Sequence, residues 1–160
     1  MSDSTPRRHR YEVKNEWTGN LGSGTSTYRA YSRNHELSGA GKAAPISGSS
    51  DPLFRGDATR YNPEELLVGA VSACHMLWVL HLCADAGIVV TGYRDLAVGE
   101  MEEHADGSAE FTRVVLRPQM VLADPARAGE AILLHHKAHE VCGIARSVNF
   151  PVDCQAVVTD

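Results

Sequence analysis

The segment from Asn62 to Cys83, NPEELLVGAVSACHMLWVLHLC, constrains the fold of this chain more than any other. It opens with an asparagine able to cap a helix, a proline suited to the first helical position, and Glu64 and Glu65 at the positive end of the helix dipole. Gly87 supplies a stop, so the helix is expected to end near Asp85, a length of roughly 35 Å. Its apolar residues run almost all the way round the axis, from Leu66, Leu67 and Val68 through Val71 to Met76, Leu77, Trp78, Val79, Leu80 and Leu82. A helix apolar on every side must be buried on every side. A chain of 160 residues has too little else to enclose it, so a second subunit is expected to cover what remains.

The other segments supply sheet and one more helix. Residues 1–10 read as a flexible leader, and residues 11–160 as one domain. Tyr11–Trp17 and Thr25–Tyr31 alternate β-branched or aromatic residues with polar ones around the glycine-rich TGNLGSG, which predicts a hairpin. Residues 38–61 are rich in Gly, Ser, Pro and Asp and read as a long loop, with Leu53 and Phe54 expected to tie it down. Ile88–Glu103 and Ala109–Ala123 predict two long antiparallel strands joined at Asp106-Gly107. Asp124-Pro125 opens a second helix to about residue 142, and Val152–Val158 closes the chain as a strand. The order ββ, loop, helix, ββ, helix, β predicts an α+β domain with antiparallel sheet.

Composition removes several function classes. The net charge of -5 and the absence of any basic cluster beyond Arg7, Arg8 and Arg10 offer no face for nucleic acid. No unbroken apolar run approaches the length of a membrane span. The first residues lack the apolar stretch of a secretory signal, so a cytoplasmic location and no membrane partner are expected. The four cysteines, Cys74, Cys83, Cys142 and Cys154, contain no CxxC pair, which argues against a zinc ribbon or a thioredoxin-like motif.

Within that frame Cys74 stands apart. Ser72 and Ala73 leave room around its sulfur, and Cys142 ends the second helix, so two thiols sit on two helices that should pack together. Two thiols within reach of each other are the minimum for two-cysteine redox chemistry. Cys83, nine residues past Cys74, faces the opposite side of the helix and should fill core. Cys154 has no evident partner. His135 and His139 are spaced to share an ion, with Cys142 on a similar face, but HHKAHE also fits a solvated helix surface, and no metal is expected. His75 and His81 read as buried hydrogen-bonding residues. A thiolate in the middle of a helix gains little from the dipole and needs a nearby cation. Arg55 or Arg60, from the loop before the helix, could deliver one.

NPEELLVGAVSAC, a second cysteine 68 positions later and the order of elements resemble the OsmC/Ohr family of hydroperoxide-detoxifying proteins, the OsmC branch more than Ohr. The likeness runs from about Tyr11 to Val158. It implies antiparallel sheets wrapped around long central helices in an intertwined homodimer, with active sites at the subunit interface. It also implies a thiol peroxidase without a cofactor, acting on an organic hydroperoxide and recycled by an external dithiol. Carried over, Cys74 is the peroxidatic cysteine, Cys142 the resolving one and Glu64 the active-site glutamate. The arginine, placed by the OsmC branch in the loop before NPEEL, falls on Arg55, with Arg60 as the fallback. CGIARSV stands where the family often has a CPVS-like sequence after the resolving cysteine. Leu66, Val71, Met76, Leu77 or Phe54 are the expected lining of a substrate tunnel. The rival on the same fold is a redox-sensing or ligand-binding protein without turnover. Helix geometry adds one constraint: Glu64 and Cys74 lie about 15 Å apart along one axis, so a shared site needs Glu64 from the partner subunit.

Overall fold

The computed structural model describes residues 6–159, which fall into two units, one up to Pro63 and one from Glu64 onward. Of the expected leader, residues 1–5 lie outside the described residues, and residues 6–10 carry no regular secondary structure. In the first unit, β1 (Lys14–Trp17), β2 (His35–Ser38) and β3 (Ile46–Gly48) form an antiparallel sheet in that order, with Trp17 opposite His35. The hairpin therefore exists, but its second strand is not Thr25–Tyr31. That stretch is a run of turns, because Arg33 claims its carbonyls: the guanidinium donates to the backbone oxygens of Tyr31 (2.6 Å) and Tyr28 (2.7 Å). The same group lies 4.2 Å from the centroid of each tyrosine ring. Two tyrosines three residues apart mark a cage around an arginine, not a pleated surface.

The long loop is held by a polar residue. Ser49 is fully buried; its hydroxyl donates to Asn34 (2.9 Å) and accepts from the Asp57 backbone (3.0 Å). Leu53 and Phe54, expected as the anchors, are exposed on a single 3-10 turn, Pro52–Phe54, capped by the Asp51 side chain. A turn so short has no second apolar face to bury.

The second unit is built on α1 (Pro63–Asp85). Its end is a Schellman motif: Gly87 (φ 67°) donates to Ala84 and Ile88 to Cys83, with Ile88 buried beyond the cap. Val71, His75, Val79 and Cys83 recur every four residues as its one buried stripe, while Leu77 remains 62% exposed. Averaged over 18 residues its mean hydropathy is 1.9, enough for a membrane span by length and composition, which a count of unbroken apolar residues did not reveal.

The expected pair of long strands is present but folded over. β4 (Val90–Asp95) pairs with β7 (Pro118–Leu122), and β5 (Val98–Glu103) with β6 (Ala109–Leu116), across the Asp106-Gly107 turn. The ribbon breaks where Pro118 has no N–H to give and where the Arg117 N–H donates to the Asp95 carboxylate (2.7 Å) instead of a strand. After α2 (Ala128–Val141), the closing strand is also divided. β8 (Val152–Cys154) adds to β6 and β9 (Val157–Thr159) to β7, both in parallel, with Gln155 N–H bonded to Leu116 between them. The result is two three-stranded mixed sheets, β4-β7-β9 and β5-β6-β8, rather than antiparallel sheet alone.

One core cluster joins Val79, Cys83, Ile88, Met120, Leu122, Ala131 and Ala138, so Cys83 fills core as expected. A second joins Val71, Val114 and Leu116 with Val68, Phe111 and Phe150 against it. Leu116 is fully buried where the ribbon folds. Leu116→Ala is expected to lower stability by about 2–5 kcal/mol in urea unfolding, since both transfer energy and a cavity are lost; a loss below about 1 kcal/mol would count against this core.

Candidate active site

Two helices present the cysteine pair. Cys74 lies in the middle of α1, half-buried, with a polar residue before it: Ser72 donates to Asp95 (2.5 Å) and fixes that turn to the end of β4. Cys142 is the C-cap of α2, where the backbone turns extended (φ -66°, ψ 106°), and its side chain is fully buried. Both are free thiols. Burial first, and the neighbouring Cys74 thiol second, raise the Cys142 thiol to about 11 against the opposing backbone N–H of Ala145. Cys142 and Cys74 are therefore close enough to interact.

A cavity of about 280 Å³ opens at Cys74, lined by Leu77, Trp78 and His81. These residues follow Cys74 at three, four and seven positions, one helix face; that spacing could have identified Trp78 and His81 from the sequence. Of the expected tunnel residues, Leu77 lines this cavity, whereas Val71 belongs to the core. His81 is exposed, 3.5 Å from Asp85, and not a buried hydrogen-bonding residue, because its helix position faces away from the core stripe.

Of the other expected site residues, Glu64 lies in the second unit, and Arg55 and Arg60 lie in the first. Glu64 lies in the first turn of α1, ten residues before Cys74 and so about 15 Å away along the axis. Arg55 belongs to the first unit, as the cap of the 3-10 turn, and is the only non-glycine among the described residues with positive φ (66°). Arg60 is already engaged, with Glu36 at 2.9 Å and Asp57 at 3.8 Å. Arg55 has no ion-pair partner among the described residues.

The histidines assemble differently from their helical spacing. His139 is exposed and Cys142 faces Cys74, so His135, His139 and Cys142 do not converge. Instead His135 of α2 meets His75 of α1, Nδ1 to Nε2 at 2.9 Å, with the Cys154 sulfur 3.5 Å from His75 and 3.7 Å from His135. Burial lowers both imidazoles to about 4 and raises the Cys154 thiol to about 11. All three are neutral at neutral pH. The sequence did not reveal this cluster because its members lie on three elements far apart in the chain.

The family model for OsmC-like proteins matches residues 56–156. Among solved structures, an OsmC-like protein of unknown function from Vibrio cholerae is 31% identical and superimposes with a TM-score of 0.83, covering 94% of this chain and 100% of that one. An organic hydroperoxide resistance protein OsmC from Legionella pneumophila is 18% identical (TM-score 0.66; 96% and 100% covered). One from Elizabethkingia anophelis is 17% identical (TM-score 0.64; 96% and 99% covered). No curated protein matches the sequence.

Proposed function

This chain belongs to the OsmC-like family, and on that premise we propose that it is a thiol-dependent peroxidase acting on organic hydroperoxides. Membership and the hydroperoxide-resistance proteins sharing the fold point to a redox role. The observation that carries the finer reading is the cysteine pair: a half-buried Cys74 at an apolar cavity, interacting with a buried Cys142 whose thiol is held above its ordinary range. One thiol can be reached by substrate and the other waits behind it.

In the proposed cycle the Cys74 thiolate attacks the distal oxygen of ROOH, the O–O bond breaks, and the alkoxide leaves as alcohol with a proton. Cys74 is then a sulfenic acid. Cys142 condenses with it, forming the S–S bond and releasing water. An external dithiol reduces the disulfide by exchange, and no cofactor takes part. Leu77 and Trp78 beside Cys74 favour an apolar R group.

Arg55 is assigned as the cation that holds the thiolate and orients the peroxide, with Glu64 fixing its guanidinium. Because roughly 15 Å of helix separates Glu64 from Cys74, that glutamate is proposed to come from a second copy of the chain. The same copy is proposed to cover the faces of α1 left open around its single buried stripe, in a homodimer working in the cytoplasm.

Arg55 and Arg60 should separate cleanly. Arg55→Gly is expected to keep or raise stability, because left-handed backbone costs a non-glycine residue ~1 kcal/mol. It should lower kcat/KM roughly 10–100-fold through loss of a charged hydrogen bond. Arg60→Ala should instead lower the melting temperature through its ion pairs. The reverse pattern would move the catalytic cation to Arg60. Steady-state reduction of cumene hydroperoxide with a dithiol tests the activity itself, and oxidation without turnover would favour the redox-sensing alternative.

A further inference from the structure

We propose that His75, His135 and Cys154 form a zinc site, separate from the Cys74–Cys142 pair and not required by the peroxidase reading. The three donor atoms, His75 Nε2, His135 Nδ1 and Cys154 Sγ, lie within 4.8 Å of one another. A tetrahedral ion with ordinary Zn–N and Zn–S lengths needs N···N separations of roughly 3.3 Å and S···N of roughly 3.6 Å. The observed separations are 2.9 Å between the nitrogens and 3.5 and 3.7 Å from the sulfur. A shift of a few tenths of an ångström would admit the ion.

Hydrogen bonding alone is an incomplete account of this cluster. His75 and His135 are 1% and 2% exposed, and the bond between them engages one nitrogen of each ring. His75 Nδ1 and His135 Nε2 have no hydrogen-bond partner among the described residues. Whichever tautomer is drawn, a neutral pair leaves one buried N–H without a protein acceptor. The chemistry of the set selects the metal: two imidazoles and one thiolate match zinc, whereas calcium or magnesium would require oxygen ligands.

Three protein ligands leave a fourth position. A cavity of about 310 Å³ adjoins His135 and Cys154 and is also lined by His139, Glu140 and Asp153, so that position opens toward polar groups. A bound ion would tie α1, α2 and β8 together. Binding balances simply: the Cys154 thiol gives up its proton to solvent as the Zn–S bond forms. The proton shared by the two rings moves to a distal nitrogen, so one proton is released per ion.

The test uses the full chain without a histidine tag, stripped with chelator and titrated with Zn²⁺, then with Co²⁺ as a spectroscopic probe. One equivalent bound, one proton released per ion, a raised melting temperature and a thiolate-to-cobalt charge-transfer band are expected. The band should persist in a Cys74→Ser/Cys142→Ser double variant and disappear in Cys154→Ser. If Cys154→Ser does not fold, X-ray absorption at the zinc edge of the wild type decides, with one sulfur in the first shell expected. No stoichiometric binding, a band lost in the Cys74→Ser/Cys142→Ser variant, or a shell with two sulfurs or none would overturn the proposal.

Discussion

Cys74→Ser is expected to lower hydroperoxide turnover by at least about 10³-fold, because a serine hydroxyl is neither ionised at neutral pH nor a match for a thiolate as nucleophile. Folding should be unaffected. Cys74 lies outside both core clusters, and the exchange removes little volume. Cys142→Ser should behave differently: the first equivalent of peroxide is consumed and Cys74 is trapped as a sulfenic acid, but the disulfide-dependent cycle stops. Stopped-flow consumption of cumene hydroperoxide, with a sulfenate-specific label, distinguishes the two variants. Equal loss in both at the first turnover would mean that Cys142 supports the attack and not the resolution.

Mixed dimers should report where Glu64 acts. Cys74→Ser and Glu64→Gln subunits, each nearly inactive alone, are expected to recover about a quarter of wild-type activity after random reassociation. Half of the dimers are then mixed, and each mixed dimer has one of its two sites intact. The expectation follows from α1 being a single helix from Pro63 to Asp85, which keeps Glu64 away from the Cys74 of its own chain. No recovery in verified mixed dimers would place both residues in one chain's site and require α1 to open at its first turn.

The sequence carried the helices well because their signals are local. Pro63 and Gly87 mark the ends of α1, and Asp124 caps the 3-10 turn that leads into α2 with its own side chain. Strand breaks were hidden because tertiary contacts impose them: Asp95 takes the Arg117 N–H that would have continued the ribbon. Residues 25–31 mimicked a strand through their β-branched and aromatic composition, whereas Tyr28 and Tyr31, three residues apart, both pack on Arg33. The cysteine pair was legible for a simpler reason. Each thiol marks a helix, one at its middle and one at its end, and two such helices in a small domain must meet. The His75–His135–Cys154 cluster had no such sign; three segments converge there, and only the 1% and 2% exposure of its imidazoles sets it apart from surface histidines.

The central claim is that Cys142 resolves an oxidised Cys74. Peptide mapping of the wild-type chain after one equivalent of cumene hydroperoxide, with free thiols blocked beforehand in a parallel sample, tests it directly. The account predicts a Cys74–Cys142 disulfide as the dominant product, absent from the blocked sample and reversed by a dithiol. A sulfinic acid on Cys74 with Cys142 still free, or a disulfide joining Cys74 to Cys154, would contradict it.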